Sequence, residues 1–332
     1  MQVAECFTGI AGFRRGFEAA QMKTTVMIEW DKACRTILSE HYPDTPLLED
    51  IKDVHGTDIG RPDLIVGGFP CQDTSIAAPH RAGLAGTRSG HFNEFTRLVG
   101  EYAQLVDATN PRWVVIENPT GLLKSNGGRD MGTVLGHLVD LGYGVAYRVV
   151  DGGHPGTPQR RPRVVVVGHR GGDPRPAWQV LGDRAPGGEA AREDHDGRQE
   201  SGPDTRPIPG GDSLVRVWRK GARPRVALSK GYEGGYRETW VNDGKGNTLT
   251  GFDGGLATRQ THLIAQNGRL RTLTLTEWER LMGFPDGWTA MVKDGPRYTA
   301  LGNAMHVGTA TWLGHRLQAV HAALPQIEQK AS

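Results

Sequence analysis

Cysteine is scarce. There are three in 332 residues, at positions 6, 34 and 71, in no paired or metal-like spacing. That excludes a disulfide framework and a cysteine-based zinc site, implies no metal, and fits a reducing cytoplasm. Long apolar runs are missing: no stretch approaches the roughly 18 consecutive apolar residues that span a bilayer. The opening residues, MQVAECFTGIAG, lack a basic region followed by an apolar run, so no signal peptide is expected. Net charge is nearly absent, 39 Lys and Arg against 37 Asp and Glu leaving +2. A nucleic-acid partner is therefore invisible in the total and requires local basic patches. Hydrophobic residues are also sparse, at 37%. What is abundant is glycine, 47 residues, which predicts many loops around a modest core. The length allows one large domain or two smaller ones.

Residues 1–170 alternate between strand and helix patterns. β-rich runs fall at 3–7, 24–30, 63–67, 112–117, 144–150 and 163–168. Between them Phe13, Phe17 and Ala20 share one helical face, and Phe95, Leu98, Tyr102 and Leu105 share another. Apolar strands alternating with amphipathic helices predict an α/β, doubly wound, mostly parallel sheet. Composition changes at Gly171: residues 171–212 hold nine Gly, six Pro and nine acidic side chains. They read as a long loop or a partly disordered insert. Residues 213–265 carry the strand-like pieces SLVRVW, RPRVAL and THLIA, a small β-rich domain. Thr276 and Glu279 form a capping-box pattern that opens a helix at TEWERLMGF. Leu313, Leu317, Val320 and Leu324 mark a C-terminal amphipathic helix. The division expected is 1–170, 171–290, and a segment 291–332 that returns to the first domain.

Five motifs carry candidate chemistry. CFTGIAGF, 6–13, runs from strand through a glycine turn into a helix, where backbone can approach a ligand and the helix start favours an anionic group. An ordinary β–α turn reads the same way. IEWDK, 28–32, ends the next strand. Glu29 there can bind both hydroxyls of a ribose and Trp30 can stack on a purine; alternatively they are a surface acid and a core tryptophan. Asp50 and Ile51 fall at a third turn, where an acid can accept from an adenine amino group. GGFPCQDTS, 67–75, places Cys71 directly after an apolar strand, at the carboxyl edge where such sheets bind ligands. A buried structural cysteine is the alternative, but two glycines and a proline favour a shaped, exposed loop. VVIENP, 114–119, puts Glu117 at the same edge. Desolvation there raises a carboxyl pKa and suits a general acid; a capping or ion-paired carboxylate is the alternative. PQRRPRVVVVG, 158–168, sets Arg161 and Arg163 on one side of an incoming strand. They can orient a base and lower a thiol pKa, or simply form a basic strand entry.

In this order, the glycine turn, EWDK, Pro-Cys-Gln, Glu-Asn, Gln-Arg-Arg-x-Arg, a variable stretch, RTLTLTEWERLMGFP and GNAM resemble the motif set of DNA (cytosine-5)-methyltransferases. The resemblance covers nearly the whole chain except about 171–230. It implies a Rossmann-like, S-adenosylmethionine-dependent methyltransferase fold with a second, smaller β-rich target-recognition domain. By the family mechanism Cys71 adds to carbon 6 of a flipped-out cytosine, Glu117 serves ring nitrogen 3, Arg163 holds the carbonyl oxygen, and Arg161 supports the loop. Phe7, Gly9, Ile10, Gly12, Glu29, Trp30, Asp50, Ile51, Pro70 and Asn303 match the cofactor contacts. Gln72, Ser75, Arg219, Lys220, Lys230, Arg237 and Thr248 are the residues expected at DNA. Glu5, Ala11, His91, Pro119 and Ala304 depart from the usual pattern, where Asp, Gly, Leu, Val and Ser are common.

The resemblance further implies a monomer acting on duplex DNA in the cytoplasm of a bacterial or phage-infected cell, with a cognate restriction endonuclease acting separately and no membrane partner. Two rivals stand beside it: an RNA cytosine-5 methyltransferase with the same motifs, and a DNA-binding regulator that keeps the fold without catalysis. The separate recognition region favours duplex DNA over RNA. Retention of Cys71, Glu117 and Arg163 favours catalysis.

Overall fold

A computed structural model describes residues 1–69, 90–105, 112–151, 159, 161–182, 213–220, 237–241, 260–266 and 269–324. For 105, 213–220, 237–241, 260–266 and 269–271 only the backbone is described. Seven strands form the main sheet: β1 (Gln2–Cys6), β2 (Lys23–Ile28), β3 (Leu47–Leu48), β4 (Leu64–Gly67), β5 (Trp113–Pro119), β6 (Tyr143–Asp151) and β7 (Pro162–Arg170). Their order is β3-β2-β1-β4-β5-β7-β6. β3 through β5 in that order pair in parallel, and β7 enters antiparallel between β5 and β6. The six expected strands all form. β3, two residues long, has no readable sequence pattern.

Strands β1, β4, β5 and β7 are apolar on both faces because helices cover both. On one face Ala4, Cys6, Ile65, Val114, Ile116, Val164 and Val166 pack against helix α3 (Gly90–Leu105) and helix α4 (Arg129–Asp140). On the other, Val3, Leu64, Val66, Val115, Val165 and Val167 meet helix α1 (Gly12–Ala19), helix α5 (Arg175–Leu181) and the C-terminal helix α8 (Val307–Ala323). The faces read from sequence are the buried ones: Phe13, Phe17 and Ala20 on α1, Phe95, Leu98 and Tyr102 on α3, and Leu313, Leu317 and Val320 on α8.

Helices α1 and α8 approach closely because small residues line the seam. A Cβ added to Gly16 would sit 2.4 Å from the Ala310 Cβ, and one added to Gly314 would sit 2.9 Å from the Ala20 Cβ. The chain's end thus returns to its beginning, as the sequence suggests. The stretch from Leu273 to Ala304 joins it there. Helix α6 (Leu275–Met282) and helix α7 (Asp294–Asn303) share a core with Ile10, Met27, Ile37 and Leu38, the last two from helix α2 (Lys32–His41).

Two local expectations are corrected. Residues 171–212 are not loop throughout, since Arg175–Leu181 form α5, with Ala177, Val180 and Leu181 buried against the main sheet's core. The capping box of α6 is Thr274 with Glu277, not Thr276 with Glu279. TLTLTEWE contains two overlapping T-x-x-E patterns. Glu279 is unavailable for capping because it is fully buried and accepts from Thr289, Gly287 and Arg297.

A second, antiparallel sheet has the order β11-β10-β8-β9, from β8 (Ser213–Lys220), β9 (Arg237–Val241), β10 (Gln260–Gln266) and β11 (Arg269–Thr272). The expected pieces SLVRVW and THLIA fall in it; RPRVAL lies outside the described residues. Among the described residues no helix is long and apolar enough to cross a membrane.

Candidate active site

The turn after β1 is held by an unusual run of left-handed backbone. Phe7, Gly9 and Ala11 have φ of 54°, 59° and 70°. Glycine takes such angles freely; Phe7 and Ala11 are strained there and are held by the surroundings. The Thr8 hydroxyl donates to the Glu5 and Ile28 carbonyls, tying the turn to β2. Gly12 has a different requirement. A Cβ there would lie 2.2 Å from the Met305 carbonyl oxygen, so its glycine serves the docking of the C-terminal segment. Ile10 is fully buried, and its carbonyl accepts from the Trp288 indole at 3.0 Å.

Glu29 sits at the end of β2 under this turn, buried, with its pKa raised by that burial. Its carboxylate accepts from the Gly9 and Asp31 backbone N–H groups, each at 2.7 Å. Each oxygen keeps further acceptor capacity for a hydroxyl. Phe7, Ile28, Glu29, Trp30, Glu49, Asp50, Ile51 and His91 line one crevice. Trp30 is 61% exposed, which excludes the core reading. Ile51 is buried, and the Asp50 side chain accepts from the Lys52 N–H. An acid for hydroxyls, an aromatic face for a base and an acid for an amino group suit a nucleoside.

Glu117 and Arg163 form the second part of the site. They lie on neighbouring antiparallel strands, Glu117 in register with Val165 and Arg163 with Pro119. This diagonal placement brings both to one face. The Arg163 Nε lies 2.9 Å from the Glu117 Oε1, an ion pair rather than an aligned hydrogen bond. Glu117 is thus ion-paired in this structure. Burial lowers the Arg163 pKa, and Glu117 opposes that effect.

The backbone that leads toward Cys71 abuts this pair. A Cβ added to Gly68 would lie 3.2 Å from the Glu117 Oε2, and the buried Asn118 amide donates to the Phe69 carbonyl at 3.3 Å. Pro70, Cys71, Gln72 and Ser75 lie outside the described residues. The other two thiols do not suit a nucleophile. Cys6 and Cys34 are buried, and burial pushes both pKa values up.

Arg161 takes a different part from Arg163. It is 1% exposed and donates to the Gly302 and Ala304 carbonyls at 3.0 and 2.7 Å. It therefore fixes the backbone on both sides of Asn303, which is exposed at the end of α7. Sequence patterns alone did not single out Asn118, Trp288 or Gln159; the last is 1% exposed beside Arg161 in sequence. Gln159 stands in the Gln-Arg-Arg-x-Arg motif, which was the available signal.

Of the residues expected at DNA, Lys230 and Thr248 lie outside the described residues. Arg219 and Lys220 are neighbours on β8. Arg219 is in register with Glu238, and Lys220 with Arg237.

Solved structures share this architecture over nearly the entire chain. The S. pombe Dnmt2 methyltransferase aligns over 96% of this chain and 98% of its own, with TM-score 0.63 and 17% identity. The Entamoeba histolytica methyltransferase EhMeth aligns over 98% and 99%, with TM-score 0.63 and 15% identity. The fold is that of the S-adenosylmethionine-dependent methyltransferases. Sequence relatives narrow the class. Type II methyltransferase M2.BsuMI of Bacillus subtilis (strain 168) is 28% identical over 99% of this chain and 78% of its own length. Type II methyltransferase M.Sau3AI of Staphylococcus aureus is 26% identical over 96% of each. Residues 1–319 match the family described as C-5 cytosine-specific DNA methylase, and the chain belongs to that family.

Proposed function

We propose that the protein transfers a methyl group from S-adenosylmethionine to carbon 5 of a flipped-out cytosine in a specific duplex DNA sequence, with Cys71 as covalent nucleophile. The observation that carries this reading is the Glu117–Arg163 pair, set against the backbone of Gly68 at the exit of β4. Cys71 follows Phe69 by two residue steps, a chain reach of at most about 7 Å. The Cys71 thiol, the Glu117 carboxyl and the Arg163 guanidinium would then meet at one planar ring.

The chemistry needs all three. Carbon 5 of cytosine is a poor nucleophile until carbon 6 is attacked. The Cys71 thiolate forms the sulfur–carbon 6 bond, and the electron pair of the 5,6 double bond becomes available at carbon 5. Covalent addition divides one hard step into two easier ones. Glu117 holds a hydrogen bond or proton at ring nitrogen 3, while Arg163 steadies the carbonyl oxygen where negative charge builds. Bound S-adenosylmethionine supplies an electrophilic methyl group. A base then takes the carbon 5 proton, the double bond re-forms, and the Cys71 sulfur leaves.

Glu29 would hold the ribose hydroxyls, and Phe7, Trp30, Asp50 and Ile51 the adenine. Gly9 keeps the turn open, with Ile10 and Gly12 supporting it from beneath. Pro70 and Asn303 would face the methionine end. The base must leave the duplex stack to reach this edge. Arg219, Lys220 and Arg237, on the second sheet, would meet DNA phosphates, with Lys230, Thr248, Gln72 and Ser75 adding further contacts. The name type II methyltransferase, carried by the sequence relatives, fits a protein that works alongside a separate restriction endonuclease.

The direct test supplies tritium-labelled S-adenosylmethionine with unmethylated duplex DNA or RNA, then maps the product by bisulfite sequencing. Label at cytosine carbon 5 in one duplex sequence context supports the proposal. Label in RNA but not DNA supports the RNA reading, and none in either supports a silent DNA-binding protein.

A further inference from the structure

His91 opens α3 and turns its ring into the crevice that also contains Glu29 and Asp50. Its centroid lies 5.7 Å from that of Phe7, nearly edge-on at 73°, and 6.4 Å from that of Trp30, tilted at 38°. The imidazole is thus one wall of a three-ring enclosure. Its Nδ1 is buried and has no hydrogen-bond partner among the described residues. Buried polar atoms are normally paired, and one left unpaired at a crevice wall points to a missing partner. An apolar side chain would close this wall without that unmet bond.

We propose that His91 binds the adenine base of the cofactor through its neutral imidazole, so that cofactor affinity is lost on acidification. This rests on the cofactor reading given above. A neutral imidazole offers one nitrogen as donor and one as acceptor, whereas the protonated ring offers only donors and brings a charge that the ligand would desolvate further. The groups around the ring are mixed. Lys52 disfavours its protonation, Asp50 and Glu94 favour it, and Glu29 and Glu49 line the same crevice. Burial outweighs the acids and holds the His91 pKa below its ordinary range.

If only the neutral form binds, the apparent dissociation constant scales with the inverse of the neutral fraction. Affinity then falls toward tenfold per pH unit on the acid limb. Glu29 is the competing cause of such a limb, because its own pKa is raised. His91→Asn separates the two, since it keeps a polar edge without titrating near neutrality. The experiment is calorimetric binding of S-adenosylhomocysteine from pH 5.5 to 8.0 to the full chain and to His91→Asn. It is paired with an NMR titration of His91 in the wild type, free and bound. The variant should bind within about tenfold of wild type at pH 8, the scale of one net hydrogen bond, and should lack the wild-type acid limb. The bound His91 pKa should fall below the free one. An acid limb retained in His91→Asn, or a His91 pKa unmoved or raised by the ligand, overturns the proposal and leaves the cofactor reading intact. Absence of binding to wild type at pH 8 overturns both.

Discussion

Arg163 reaches Glu117 across two antiparallel strands, with its Nε 2.9 Å from the carboxylate oxygen. Both side chains are nearly buried, at 13% and 10% exposure. Each is the condition for the other's burial, because an unpaired charge there is strongly unfavourable. The same two groups are the ones proposed to hold the cytosine ring, so stability and catalysis are coupled at this pair.

Glu117→Gln leaves the Arg163 cation without its partner. It should lower stability by about 3 kcal/mol and methyl transfer by roughly a hundredfold or more. Replacing both, Glu117→Gln with Arg163→Met, should recover most of the stability and none of the activity. Urea denaturation and single-turnover assays separate these effects. A double variant as unstable as the single one would contradict the pairing.

Arg161 acts through the backbone it holds. Arg161→Met removes the donors to the Gly302 and Ala304 carbonyls, each bond to a charged group contributing about 1.5–3 kcal/mol. The segment bearing Asn303 should loosen. Affinity for S-adenosylhomocysteine should drop at least about tenfold, while the rate at saturating cofactor changes less. A variant with unchanged cofactor affinity and a collapsed saturated rate would instead place Arg161 at the reacting base.

Glu5 gives a pH dependence of stability. It is fully buried, and burial raises its pKa from 4.5 to about 8, with Arg14 opposing. Neither carboxyl oxygen has a hydrogen-bond partner among the described residues. The folded chain therefore keeps a proton over a range where the unfolded chain has released it. The stability this contributes is complete below the unfolded value and is lost as pH rises from 4.5 to about 8. Glu5→Gln should escape that loss. Its stability relative to wild type should rise by up to about 1.4 kcal/mol per pH unit across this window. Thermal denaturation at pH 5, 6.5 and 8 measures it; a constant difference would contradict a raised Glu5 pKa.

The main sheet was legible because buried strands such as DLIVG and RVVVVG are continuous apolar runs, and no helix or loop needs that pattern. β3 escaped because two residues carry no period. Helix α5 escaped because its seven residues were averaged with a long Gly- and Pro-rich stretch. The residue types at the site were legible in their motifs. Their partners were not. The Glu117–Arg163 contact depends on β7 entering antiparallel beside β5, and the hold of Arg161 on Gly302 joins positions 141 apart. Only the tertiary fold sets such pairings.

Strands β8 and β9 carry three of the residues expected at DNA. Arg219 is in register with Glu238 and Lys220 with Arg237. Lys220→Ala with Arg237→Ala should flatten the slope of log affinity against log salt by about 1 to 2 units. It should weaken specific and non-specific DNA alike, since phosphate contacts do not read sequence. Arg219→Ala alone should flatten it by up to about 1 unit. Equal slopes in all three proteins would remove these residues from the interface.

The central claim is that Cys71 bonds covalently to cytosine. A duplex with 5-fluorocytosine at the methylated position tests it most directly. Fluorine cannot leave carbon 5 as a proton leaves, so elimination stalls after methyl transfer and the enzyme stays attached. With S-adenosylmethionine present, wild type should give a shifted band on a denaturing gel, and Cys71→Ser should give none. No band from wild type, on a duplex whose unmodified form it methylates, would contradict the covalent mechanism.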